Sequence, residues 1–195
     1  MTTLPGRRRL PTVLAALTIV SGESVLADTL DDGDGILSRA AEVASIFKLM
    51  AETLPGKWHG AYADGTADNP IGDWTETSVE YELTAGGTAL IENYVDDRGR
   101  PYMTTVYHQD NNDLRATHFC GARNHPRMIA RKISHEERSV EFDFVDVANL
   151  KTVNSYHSRG LLLEIISEDS IILTFTGLED GARNTRAFKF EREAD

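Results

Sequence analysis

The chain has one cysteine in 195 residues. It cannot form an internal disulfide, so the stapled framework of small cysteine-rich exported domains is excluded. Basic residues are scarce, with 20 Lys and Arg against 31 Asp and Glu. That imbalance repels nucleic acid and anionic membrane surfaces, and neither is expected as a partner. Long apolar runs are missing as well. The best one, Leu10 to Val20, falls short of the roughly 20 residues that cross a bilayer.

What stands at the start has the layout of an export signal. Arg7, Arg8 and Arg9 form a basic segment, the apolar run follows, and Val25 and Ala27 suit the small-residue rule before a cut. Cleavage is expected after Ala27, with 1–27 as signal peptide and the mature chain exported to the periplasm or beyond. The competing readings are a membrane anchor and a wrongly chosen start codon. No cysteine stands directly after the apolar run, so a lipoprotein anchor is not expected, nor is membrane insertion after cleavage. Loss of 1–27 removes three arginines and one glutamate. That leaves 17 basic and 30 acidic residues, a formal net charge of −13 over 168 residues. This length suits one domain with a real core.

Residues 28–35, "DTLDDGDG", read as a loose mature N-terminus; the regular ligand spacing of a calcium loop is absent. Residues 36–54 predict one helix, because Leu37, Ala40, Ala41, Ala44, Phe47 and Met50 recur at three- and four-residue steps. Pro55-Gly56 stops it, and it is expected to close one end of the fold. From Gly56 onward the period changes to two. Segments such as "SVEYELT", "SVEFDFVDV", "SIILTFTGL" and "TRAFKFERE" alternate between turn residues, giving about ten strands. The stretch 63–75 reads as a longer loop, a candidate flap. Residues 55–195 thus predict an all-β domain, an up-and-down antiparallel barrel closed or nearly closed, because closure removes the exposed edges.

Hairpin parity then sorts the faces, since directly opposed residues share one. A turn at Gly86-Gly87 pairs Leu83 with Leu90, Tyr81 with Glu92 and Val79 with Tyr94. Glu92 is therefore expected to point inward. A turn around Asp110-Asn111 pairs Tyr107 with Leu114, Thr105 with Ala116 and Met103 with His118, and carries Cys120 to the same inner face. Phe142, Phe144, Leu161, Leu163, Phe188 and Phe190 supply apolar wall. Asn124, His125 and Pro126 read as a turn, and Arg127 as the start of a strand at the barrel mouth.

"LPGKWHGAY", with Gly56, Trp58 and Gly60 as G-x-W-x-G, resembles the calycin superfamily of lipocalins, fatty-acid-binding proteins and nitrobindin-like barrels. "GGTALIE", "VYHQDNNDLRATHFCGARNHPRM" and the closing "AFKFER" are similar to a bacterial lipocalin-like group with Y-H-x-D, T-H-[YF]-C and N-x-P-R-M. The resemblance covers residues 54–192. It implies a barrel with an internal cavity and brings no established activity. Nitrobindin-like members hold haem iron with a late-strand histidine, and His157 alone stands on a late strand here.

The candidate ligand-binding set is Tyr81, Glu92, Tyr94, Met103 and Thr105, with Tyr107, His118, Cys120, Asn124 and Arg127. An apolar interior with a few polar anchors is the make-up of a small-molecule site. The expected partner is a small apolar or amphipathic molecule, bound without catalysis. A haem or metal barrel is one alternative, although His118 and Cys120 are only two ligands where zinc takes three or four. An isomerase or hydrolase using Glu92 or His118 as base is another, and a purely structural module a further one. Cys120 and His118, two apart on a strand, stand about 6–7 Å from each other, too far for direct activation of the thiol. An inward Glu92 costs several kcal/mol unless paired or protonated. A clamp with Arg127 or a tyrosine, and a ligand anchor, both answer that. Trp58 reads as the plug of the closed end in preference to a stacking platform.

Overall fold

The structure, a computed structural model, describes residues 31–194, with side chains from Arg39 onward. The expected signal, residues 1–27, lies outside the described residues. Helix α1 spans Asp31–Thr53, so helix already begins within the acidic stretch read as loose. Ten strands follow: β1 Gly56–Gly65, β2 Pro70–Thr84, β3 Ala89–Val95, β4 Pro101–Asp110, β5 Asp113–Phe119, β6 His125–Ser134, β7 Ser139–Ala148, β8 His157–Ile165, β9 Ser170–Glu179 and β10 Ala182–Arg192. Each pairs antiparallel with the next, and β10 returns to pair with β1, closing the barrel. No sheet edge is left unpaired along the circuit, which is what so long a meander gains by closing.

The expected flap is hairpin instead. β1 runs to Gly65 and β2 starts at Pro70, with a bulge between Tyr62 and Asp64. The apolar alternation fades there because these rim residues are mostly exposed, so periodicity could not report the pairing. At the β2–β3 hairpin the register is the one read from the sequence: Tyr81 opposes Glu92 and Leu83 opposes Leu90. Gly86 and Gly87 take the positive φ values, 67° and 90°, that this turn demands. The β4–β5 hairpin keeps the expected faces but slips by two residues, so Thr105 opposes His118 and Tyr107 opposes Ala116. The turn sits at Asn111-Asn112, with Asn111 at φ 55°. Asparagine tolerates that left-handed backbone better than most residues that carry a side chain.

The two ends of the barrel differ. α1 lies against β4, β5 and β6, and Val43, Ile46, Phe47, Met50 and Leu54 are buried beneath it. Trp58 is fully buried at this end, and its indole N–H donates to the Leu54 carbonyl at 2.9 Å. The Arg192 guanidinium stacks 4.2 Å from the Trp58 ring and donates to the carbonyls of Thr53, Pro55 and Glu168. One side chain thus ties helix, first strand and last strand together. Gly60 lets β1 and β10 approach: a Cβ there would stand 1.9 Å from the Lys189 carbonyl oxygen. Above this plug the interior fills with Val79, Leu90, Leu114, Phe142, Leu161 and Phe190. The opposite end stays open.

Candidate functional site

Glu92 projects from β3 into the interior and is completely buried. Its Oε2 accepts from the hydroxyls of Tyr81 at 2.7 Å and Tyr107 at 2.8 Å. Its Oε1 accepts from Thr105 at 2.9 Å. The clamp is therefore built from tyrosines and a threonine, with no arginine in it. Burial pushes the Glu92 carboxyl above its ordinary pKa, and the three hydroxyl donors pull it back. Burial and the nearby Glu92 charge likewise raise the phenol pKa of Tyr81 and of Tyr107. Tyr94 packs 5.2 Å from the Phe188 ring, and its buried hydroxyl has no hydrogen-bond partner among the described residues.

The cluster continues outward through Thr105, whose hydroxyl also lies 2.9 Å from Nδ1 of His118. The two-residue slip of the β4–β5 register makes this contact by setting the two side by side. His118 is 3 % exposed, and burial pulls its pKa down to about 4. It is therefore neutral near pH 7. Its ring stands 5.3 Å from that of Phe175.

Above His118 a cavity of about 200 Å³ opens toward the uncapped end of the barrel. Met103, Phe175 and Phe188 form its apolar wall, and Cys120, Tyr156 and Ser158 its more polar one. Arg186 stands at the rim, its guanidinium held by Asp64 at 2.8 Å and lying over the Tyr62 ring. Tyr156 and Arg186 also border a wider basin of about 800 Å³ between the rim hairpins.

Of the ten candidate residues, Met103, His118 and Cys120 line the cavity. Glu92, Thr105, Tyr81 and Tyr107 form the hydrogen-bonded layer beneath it, and Tyr94 belongs to the packed interior. Asn124 is buried behind the wall, where its amide donates to the Tyr156 carbonyl at 2.6 Å. It orients a lining residue and is not among the lining residues itself. The placement of Arg127 at the site is corrected: it is exposed on the outer wall and pairs with Asp146, Nη2 to Oδ2 2.7 Å. It opposes Thr117, an outward residue of β5, and opposed residues share a face. Cys120 is half-buried; burial raises its thiol pKa, so it stays protonated and a poor nucleophile. His157 is buried too, with Nδ1 against the Ser155 carbonyl at 3.0 Å, and is not among the lining residues. No three metal-ligating side chains converge among the described residues.

Phe175, Tyr156, Ser158 and Arg186 escaped the sequence reading. Phe175 was legible, because it shares the inward alternation of Ile171 and Leu173 in "SIILTFT". Arg186 stands two before the wall residue Phe188, at the point where that face reaches the rim. Tyr156 precedes β8 in a loop and has no periodic signal.

No family model matches the sequence, and no curated protein matches it. Among solved structures the chain is similar to a redesigned beta barrel, b11L5F_LGL, at 13% identity and TM-score 0.35, covering 74% of this chain and 95% of that one. It is similar to a de novo designed fluorescence-activating beta barrel at 16% identity and TM-score 0.34, covering 74% and 97%. A third, EF1p2_mFAP2b bound to DFHBI, matches at 10% identity and TM-score 0.33, covering 79% and 99%.

Proposed function

We propose that this protein is an exported, calycin-like barrel that binds a small, largely apolar molecule at its open end without transforming it. The observation that carries the reading is the cavity of about 200 Å³, walled by Met103, Phe175 and Phe188 and floored by a neutral histidine. Its size lies below the roughly 300–1,000 Å³ of drug-sized sites, so the ligand is a compact one. Room of this kind at one end of an otherwise packed barrel costs stability, because lining atoms lose their contacts. Binding a molecule there restores those contacts.

Export fits the same reading through the residues at the start of the sequence, Arg7 to Ala27. Native mass spectrometry of the protein taken from its own host tests both parts. The expected mass corresponds to a chain beginning at Asp28 plus one small organic molecule, released on unfolding. A chain retaining residues 1–27 overturns export. Protein that is bare at every preparation, and that takes up no small aromatic in solution, overturns binding.

A further inference from the structure

We propose that the ligand is a small aromatic bearing a hydroxyl group, a phenol in its simplest form, whose O–H donates to Nε2 of His118. Buried Glu92 sets this polarity through Thr105. The proposal rests on the binding reading above and names the ligand class of the same cavity.

Thr105 has one hydroxyl proton and hydrogen-bonds to Glu92 Oε1 and His118 Nδ1, each at 2.9 Å. When Glu92 is ionised it can only accept, so Thr105 donates to it. The Thr105 oxygen must then accept from Nδ1–H, and Nε2 is left as a bare lone pair. The ring hydrogen bond of His118 is made by Nδ1, and His118 lines the cavity. The cavity therefore presents an acceptor. When Glu92 takes up one proton from solvent, Oε1–H donates to Thr105, Thr105 donates to Nδ1, and Nε2 carries the hydrogen. The same heavy atoms then present a donor.

The surroundings choose the first arrangement. Glu92 is faced by Tyr81 from β2, by Thr105 and Tyr107 from β4, and within its own strand by Tyr94. His118 follows from β5 behind Thr105. No lysine or arginine is among these groups, and three hydroxyls converge on the two carboxyl oxygens. Each of these hydroxyls can give its proton to the carboxylate, and these hydrogen bonds favour the ionised form against the burial that raises its pKa. Around the cavity Arg186 is engaged by Asp64, and Cys120 keeps its proton. The lining thus offers Nε2 as an acceptor, beside the hydroxyls of Tyr156 and Ser158, among aromatic and thioether walls. An apolar cavity of about 150 Å³ holds benzene, so a single ring with one hydroxyl fits here.

The test uses the whole mature protein and three probes, phenol, anisole and benzaldehyde, titrated by NMR, with ¹⁵N-histidine labelling to read the ring tautomer. In the free wild type at neutral pH, His118 is expected as the Nδ1–H tautomer. Phenol is expected to bind about tenfold tighter than anisole, which has the ring and oxygen but no donor. Glu92→Gln keeps a carbonyl for the two tyrosines and turns its NH₂ to Thr105, which reverses the chain. In that variant the tautomer becomes Nε2–H and benzaldehyde gains on phenol. An Nε2–H tautomer in the wild type overturns the proposal, as do equal affinities for phenol and anisole. Equal affinities would leave the binding reading standing, whereas failure of all three probes sinks both. If Glu92→Gln does not fold, the wild-type tautomer and the phenol-to-anisole ratio still decide.

Discussion

His118 owes its neutrality to burial, and that makes it a measurable pH liability. Its folded pKa of about 4 lies below the ordinary 6.5. The stability it contributes is therefore complete above about pH 6.5 and is lost as pH falls through about 4. At ~1.36 kcal/mol per pH unit of displacement, this amounts to about 3 kcal/mol. Glu92 works in the opposite sense. Its carboxyl is raised above the ordinary 4.5, so the native state holds that proton more tightly than the unfolded chain. Its contribution is complete below about 4.5 and declines as pH rises through the raised value. The two oppose each other in mild acid, so the wild-type curve alone cannot separate them. The comparison with His118→Gln reads the histidine together with its link through Thr105, since Glu92 keeps its tyrosine donors in both proteins. Urea unfolding at a series of pH values should show the wild type losing about 3 kcal/mol relative to the variant between about pH 7.5 and about pH 4. A constant gap would mean that His118 is not held neutral by the fold.

Among the elements, the hairpins show what a sequence can and cannot transmit. Strand positions were legible throughout the second half of the chain because alternation such as that in "SIILTFT" reports which side is buried. The face of Glu92 was legible because a two-residue turn at Gly86-Gly87 and the observed turn over residues 85–88 give the same pairing. The register of β4 against β5 was not, because sliding by two residues preserves every face. The observed register comes with a turn at Asn111-Asn112, Asn111 at positive φ, and it sets Thr105 opposite His118. The cavity was hidden for another reason: its wall includes a loop residue, Tyr156, held by contacts remote in sequence. Gly177 on β9 makes space for it, since a Cβ there would lie 2.6 Å from Tyr156 Cε2 and 2.3 Å from Asn184 Oδ1. Gly177→Ala should therefore leave the barrel folded by circular dichroism but push the Tyr156 ring aside. Phenol affinity should fall at least about tenfold in an NMR titration. Unchanged affinity would remove Tyr156 from the wall.

At the scale of the whole molecule, closure divides the labour between the two ends. The capped end carries stability through α1, Trp58 and Arg192, whereas the open end carries the cavity and packs less completely. Substitutions at the two ends should therefore separate in their effects. Met50, fully buried on the inner face of the helix, is not among the residues that line the cavity. Met50→Ala should cost about 2–5 kcal/mol in urea unfolding, as large-to-small core changes do, while phenol affinity of the folded protein stays as in the wild type. Ala122, in the exposed turn bordering the cavity, is the converse. Ala122→Leu puts three more carbons over the opening where no packed neighbour resists them, so unfolding should shift by no more than about 0.5 kcal/mol. Phenol affinity should drop more than about tenfold, because the added side chain occupies the space the ring needs. A Met50→Ala protein that also loses phenol binding would show that the ends are coupled through the barrel wall. The cavity would then be a property of the whole packed interior and not of its mouth.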